Sequence, residues 1–100
     1  MNFLTKFIFD GFDKAMSAHQ KIFQLGNKNK YITYRQVYEI IYGENSIDKN
    51  IEIYNKYGWT NLIRLKPING EQNGTYILEF PQIENLENVI KYRKEENNNE

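Results

Sequence analysis

The stretch TYRQVYEIIYGENSIDKN, residues 33–50, stops one helical pattern and starts another within a few residues. Thr33 and Gln36 have the spacing of a capping box: the threonine hydroxyl can accept from the Gln36 amide while the glutamine side chain reaches back to the Thr33 amide. Val37, Ile40 and Ile41 fall on one face, and Gly43 ends the pattern. Asn45 or Ser46 can cap a second helix, and Asp48 favours the positive end of its dipole. Ile47, Ile51 and Tyr54, at i, i+4 and i+7, give that helix an apolar face up to Gly58. The spacing predicts helices over 34–42 and 46–57 joined by Gly43-Glu44-Asn45, a connection short enough to force a steep crossing.

The flanking sequence fills in a small α+β domain. Phe3, Leu4, Phe7, Ile8 and Phe12 recur at helical spacing, as do Ala15, Met16, His19, Ile22 and Phe23. Gly11 interrupts the first series, which predicts a short N-terminal helix, a kink near Asp10–Asp13, and a helix over about 13–25 ended by Gly26 in the left-handed region. A polar loop, Asn27 to Lys30, and a short extended piece, Lys30 to Ile32, lead to Thr33. Trp59 opens an extended stretch after the helix-ending Gly58 and is expected to anchor the core. Leu62–Ile68 alternates, with Ile63 and Leu65 on one side and Arg64 and Lys66 on the other, and Thr75–Phe80 alternates too. Between them NGEQNG, residues 69–74, is a turn, so the two segments read as a hairpin. Pro81 suits the first turn of a closing helix whose apolar face is Ile83, Leu86, Val89 and Ile90, ending near Arg93. Residues 1–93 are expected to form one domain. The tail 94–100, KEENNNE, is too polar to offset its ordering entropy and is expected to be disordered.

Composition narrows the function. There is no cysteine, which excludes disulfides, zinc ribbons and thiol chemistry and fits a reducing, cytoplasmic setting. The N-terminus lacks a basic leader region, and its longest apolar run is Phe7 to Phe9, so neither a signal peptide nor a membrane span is expected. Formal net charge is zero, yet residues 14–70 hold nine Lys/Arg against four acids, and residues 71–100 three against seven. A basic middle points to a polyanion-facing surface. His19 is the one histidine, flanked at helical spacing by Ala15, Met16, Ile22 and Phe23, and reads as a packed side chain. No nucleophile with an adjacent base, phosphate loop or metal-ligand cluster is present, so a non-enzyme without metal or cofactor is expected.

The order helix, short strand, helix, tight turn, helix, hairpin, helix resembles the winged helix-turn-helix DNA-binding proteins over residues 13–80. The extra N-terminal helix and the lack of a sensor domain are similar to the TubR-like centromere-binding adaptors of tubulin-type plasmid and phage partition systems. ArsR-like repressors are similar as well, but their cysteine metal sites are missing here. The resemblance implies homodimeric binding of double-stranded DNA, at a partition site or as a transcriptional repressor, and for the TubR group recruitment of a filament-forming GTPase.

On that reading residues 46–57 are the recognition helix, presenting Lys49, Asn50 and Lys56 to base edges and phosphates. Arg35, Lys28 and Lys30 are further phosphate candidates. Arg64 and Lys66, with Asn69, Gln72 and Asn73 near the hairpin tip, form the wing. A plainer reading fits the same residues: Glu52 and Lys56 make an i,i+4 pair on a solvated face, and Asp48 and Glu52 repel phosphate. Phe3, Leu4, Phe7, Ile8 and Phe12, with Ile83, Leu86 and Ile90, either build a dimer interface or complete the monomer's core. The alternative function is a protein-binding module, a phage-type inhibitor or adaptor, which the zero net charge and acidic C-terminal third favour.

Overall fold

The computed structural model describes residues 3–98. The chain is α+β, with four helices and two small three-stranded antiparallel sheets among the described residues. It opens with strand β1, Lys6–Phe9, where the helical spacing predicts a helix. The reason is that K-F-I-F also alternates. Phe7 and Phe9 point into the core, Phe7 with 1% exposure, while Ile8 faces out at 67%. The partner that decides between the two periods lies far along the chain: β1 pairs with β5, Tyr76–Glu79, in the register Lys6↔Glu79, Phe7↔Leu78, Ile8↔Ile77, Phe9↔Tyr76.

Helix α1, Phe12–Asn29, buries Ala15, Ala18 and Ile22, a narrow stripe of small and branched residues that lets the helix lie close to the sheet. It does not stop at Gly26. One glycine inside a helix costs only about 1 kcal/mol, and the left-handed residue falls instead at Lys30, φ 68°, where the chain turns into strand β2, Ile32–Thr33. Helix α2, Tyr34–Tyr42, begins with the expected capping box: Thr33 Oγ1 accepts from the Gln36 amide at 3.1 Å, and Gln36 Oε1 accepts from the Thr33 amide at 3.0 Å. Gly43, φ 112°, ends it and donates its amide to the Glu39 carbonyl.

The helix expected over 46–57 is one turn, α3, Ile53–Lys56. One short polar side chain and two backbone turns take donors that a helix would need. Asp48 Oδ1 accepts from the Asn50 amide at 2.9 Å, Asn45 is left-handed at φ 66°, and the Ser46 and Ile51 amides close local turns on Gly43 and Asp48. Gly58 lies inside strand β3, Tyr57–Trp59, rather than after a helix. β3 is the middle strand of the second sheet, pairing with β2 (Ile32↔Trp59, Thr33↔Gly58) and with β6, Glu84–Asn85 (Tyr57↔Asn85, Gly58↔Glu84). A Cβ on Gly58 would stand 2.0 Å from the Ile32 carbonyl oxygen and 2.8 Å from Leu86 Cδ1, so backbone proximity, not helix termination, requires glycine there.

The strand expected over 62–68 contracts to β4, Ile68–Asn69. Pro67 withholds a ladder donor, and the Leu65 amide turns back to the Leu62 carbonyl. Ile63 and Leu65, placed on one side by alternation, separate: Leu65 is buried and Ile63 is 76% exposed. The hairpin itself forms, with Ile68↔Ile77 and Asn69↔Tyr76 in register and the Gly70 amide bonded to the Thr75 carbonyl. Its second strand, β5, is the centre of the sheet β1-β5-β4. Pro81 does not open a helix. Its carbonyl accepts from Trp59 Nε1 at 2.8 Å, and the closing helix α4 runs Glu87–Asn98 after Asn85 Oδ1 takes the Glu87 amide. The backbone is thus helical through Asn98, and Asn99 and Glu100, also assigned to the disordered tail, lie outside the described residues.

Trp59, buried as expected, packs at a tilt with its ring 4.5 Å from that of Phe80, which meets Phe7 edge-on, so one aromatic column joins the two sheets. Gly58→Ala is expected to destabilise the fold by more than about 2 kcal/mol, because backbone must move to admit the methyl. Gly26→Ala has open space around it and is expected to stabilise by about 0.5–1 kcal/mol. Urea denaturation of both variants checks the pair.

Candidate functional site

The residues singled out for DNA contact separate into three groups. Arg35 is engaged within the fold. Its guanidinium pairs with the Glu39 carboxylate and its Nε donates to Asn55 Oδ1, which ties α2 to α3. Asn55 Nδ2 in turn donates to the Lys49 and Ile51 carbonyls, and Glu39 Oε2 accepts from the Asn45 amide at 3.2 Å. This network fastens the 44–52 loop at both ends. Lys56 is likewise paired, 3.0 Å from Glu52. The hydrogen bond to Glu52, then the charges of Glu52 and Glu87, raise its pKa above the ordinary lysine value.

A second group is exposed but scattered. Lys49 and Asn50 lie in the loop, with Lys49 beside Glu44 and Glu39 in a shallow depression that mixes charges of both signs. Lys28 is in the last turn of α1 and Lys30 just past it. Asn69 is in β4, and Gln72 and Asn73 occupy the hairpin tip, where the Gln72 carbonyl accepts from both the Thr75 amide and its hydroxyl.

The third group is brought together. Arg64 and Lys66, both exposed and making no ion pair among the described residues, line a groove of about 500 Å³ with Ile63, Ile68, Glu79 and Pro81. The groove borders the outer face of the β1-β5-β4 sheet. On that face Ile8, Ile77 and Ile68 stand in cross-strand register. Ile68 is 41% exposed, and Ile77, though covered, lies outside the contiguous core. Three isoleucines in a row, two facing solvent, make an apolar strip that continues to Ile63 and is edged by these two cations. Sequence reasoning missed it because the Ile8–Ile77 neighbourhood exists only once β1 is a strand.

The residues proposed for a dimer interface divide in the same way. Phe7 and Leu86 are fully buried, and Phe3 packs against Tyr34, Tyr54 and Tyr57, so these three complete the monomer's own fold. Ile83 and Ile90 are half-buried, while Leu4, Ile8 and Phe12 remain exposed.

Other features offer less. A cavity of about 220 Å³ between α1 and the 59–63 segment, lined by Ile22, Phe23, Tyr31 and Trp59, is smaller than the roughly 300 Å³ at which ligand pockets begin. His19 packs as a structural side chain: Nε2 lies 2.7 Å from the Leu65 carbonyl, which can only accept, so Nε2 carries the proton and the buried Nδ1 has no partner among the described residues. Among the described residues no group of His, Cys, Asp and Glu could hold a metal ion, and no helix is long and apolar enough to cross a membrane.

No protein-family model, curated protein or solved structure matches this chain.

The Arg35 network makes a direct prediction. Glu39→Gln leaves the guanidinium half-buried without its counter-charge and is expected to cost about 1.5 kcal/mol. Amide exchange is expected to accelerate most between residues 44 and 52, where the loop loses its tether. Uniform acceleration across the domain would contradict this role.

Proposed function

We propose that this chain is a protein-binding module without catalytic activity, and that it engages its partner through the outer face of the β1-β5-β4 sheet. The observation that carries the reading is the isoleucine row Ile8–Ile77–Ile68, continued by Ile63 and bordered by Arg64 and Lys66. Large side chains left in water on one sheet face cost free energy that burial against a partner recovers, about 25 cal/mol for each Å² covered. The two adjacent cations select a partner segment that sets carboxylates beside its apolar residues.

Winged helix-turn-helix DNA binding, with its implied homodimer and GTPase partner, is the second reading. It draws on the α+β class, on the hairpin, and on the exposed Lys49, Arg64 and Lys66. A single turn of helix, Ile53–Lys56, offers a major groove few outward side chains, and Arg35 and Lys56 are already neutralised by Glu39 and Glu52. For that reason the sheet face ranks above it.

A photo-crosslinking residue introduced at Ile68, and separately at Asp48 as control, separates the two in the cell of origin. Adducts of defined mass are expected at position 68 and not at 48. They are expected to survive high salt and to disappear when an Ile8→Lys change accompanies the label. Duplex DNA retention is expected to be weak and unaltered by reversing the charges of Lys49, Arg64 and Lys66 together. Absence of the position-68 adduct overturns the proposal, as does DNA retention that falls about a thousandfold between roughly 50 and 200 mM salt and is lost in the triple variant.

A further inference from the structure

We propose that β1 pairs antiparallel with β1 of a second copy of this chain across a two-fold axis at Ile8, joining two sheets into one of six strands. The inference rests on the reading of this sheet as the interaction surface and gives that surface its full extent.

The hydrogen-bond parity of the edge comes first. β1 is an edge strand, with β5 on one side only. The Phe80 amide donates to the Thr5 carbonyl at 2.8 Å, so Thr5 and Phe80 are a hydrogen-bonded pair. Antiparallel pairs alternate, so Phe7 and Phe9 also spend their peptide groups on β5. The amides and carbonyls of Lys6 and Ile8 point the other way. An antiparallel neighbour centred on Ile8 uses those groups: Ile8 meets the partner's Ile8 as a doubly hydrogen-bonded pair, and Lys6 meets the partner's Asp10 at each end.

Charge complementarity chooses the occupant. Lysine on a short edge strand ordinarily discourages pairing with a stray strand. In this one register, however, Lys6 of each copy faces Asp10 of the other, two opposite-charge pairs related by the symmetry. Asp10 is exposed and already bonded to Lys14 at 2.8 Å, an interaction that holds its pKa below the ordinary carboxylate value, so it is ionised and available to a second cation. A one-residue shift of register loses both matches.

Side-chain placement agrees. Residues directly opposite in an antiparallel pair share a face. The two copies of Ile8 therefore adjoin, and the row Ile68–Ile77–Ile8 continues into its symmetry mate as six isoleucines across six strands. Ile8, the most exposed residue of the row, is the one that this covers.

The test uses the absence of cysteine in the native chain. In the proposed pair the Ile8 Cα atoms stand about 5.5 Å apart, inside the range a disulfide spans. Ile8→Cys is expected to form a covalent dimer under mild oxidation about tenfold faster than Ile63→Cys, a comparably exposed site off the strand. Sedimentation equilibrium of the native chain is expected to give twice the 12.0 kDa chain mass. Lys6→Asp is expected to weaken the dimer about tenfold, because two like-charged pairs then face each other, and Lys6→Asp with Asp10→Lys is expected to restore it. All these positions are exposed; Lys6→Asp sets a second carboxylate opposite Glu79 in the single and the swapped variant alike, so the comparison of the two reads the dimer, and circular dichroism checks that the fold is retained. A monomer at about 100 µM, equal cross-linking at both cysteine positions, or no rescue by the swapped pair overturns the proposal. So does cross-linking of position 8 to a different protein only. A monomer that still yields the position-68 adduct overturns the strand pairing and spares the protein-binding reading. A cross-linked dimer without that adduct upholds the pairing and overturns the reading.

Discussion

The antiparallel pairing of Lys6–Phe9 with Tyr76–Glu79 is the contact on which the rest of the molecule depends. It brings together two segments some seventy residues apart in the chain. The entropy of closing so long a loop is met only because Phe7, Phe9 and Leu78 bury their side chains at the same step. Once β1 is in place, α1 has a sheet to cover and β4 can join the far edge of β5. Phe80 then stands between Phe7 and Trp59 and couples this sheet to the second one. Removing the pairing would leave β4 and β5 as an isolated two-stranded hairpin, which is marginal in water.

What the sequence made legible was what depends on neighbours a few residues away. The Thr33–Gln36 capping box, the Gly43 stop and the turn between Asn69 and Gly74 are local chemistry, and each appears as read. The α+β class followed from the same signals. What failed were segments with two periodicities at once. Phe3, Phe7 and Phe12 fit a helix while Phe7 and Phe9 fit a strand, and only the distant β5 decides. Gly58 illustrates a second kind of miss: glycine after an apolar face reads as a stop, but here it is the one residue that fits between Ile32 and Leu86. Arg64 and Lys66 are exposed as expected, although the alternation that put them outside belongs to a segment that is not a strand. The isoleucine row was invisible because it depends on registers that join three separate segments.

Segment 44–52 shows how a helical pattern can be outweighed. Ile47, Ile51 and Tyr54 have helical spacing, and Ile47 and Tyr54 do pack on the core. Between them Asp48 takes the Asn50 amide, and Asn45, just before, is left-handed, so the backbone closes local turns where a helix would need those groups. The apolar residues therefore anchor a loop. The Arg35–Glu39–Asn55 network then supplies the fixation that helical hydrogen bonds would have given, and uses up a cation in doing so.

The indole of Trp59 donates to the Pro81 carbonyl while its ring packs on Phe80, and it is the chain's sole tryptophan. Its emission is therefore a built-in optical gauge of the docking of the two sheets. Any event that prises the sheets apart would shift it to the red as water reaches the ring, and engagement of the groove, which Phe80 and Pro81 line, would reach the indole through the same two contacts.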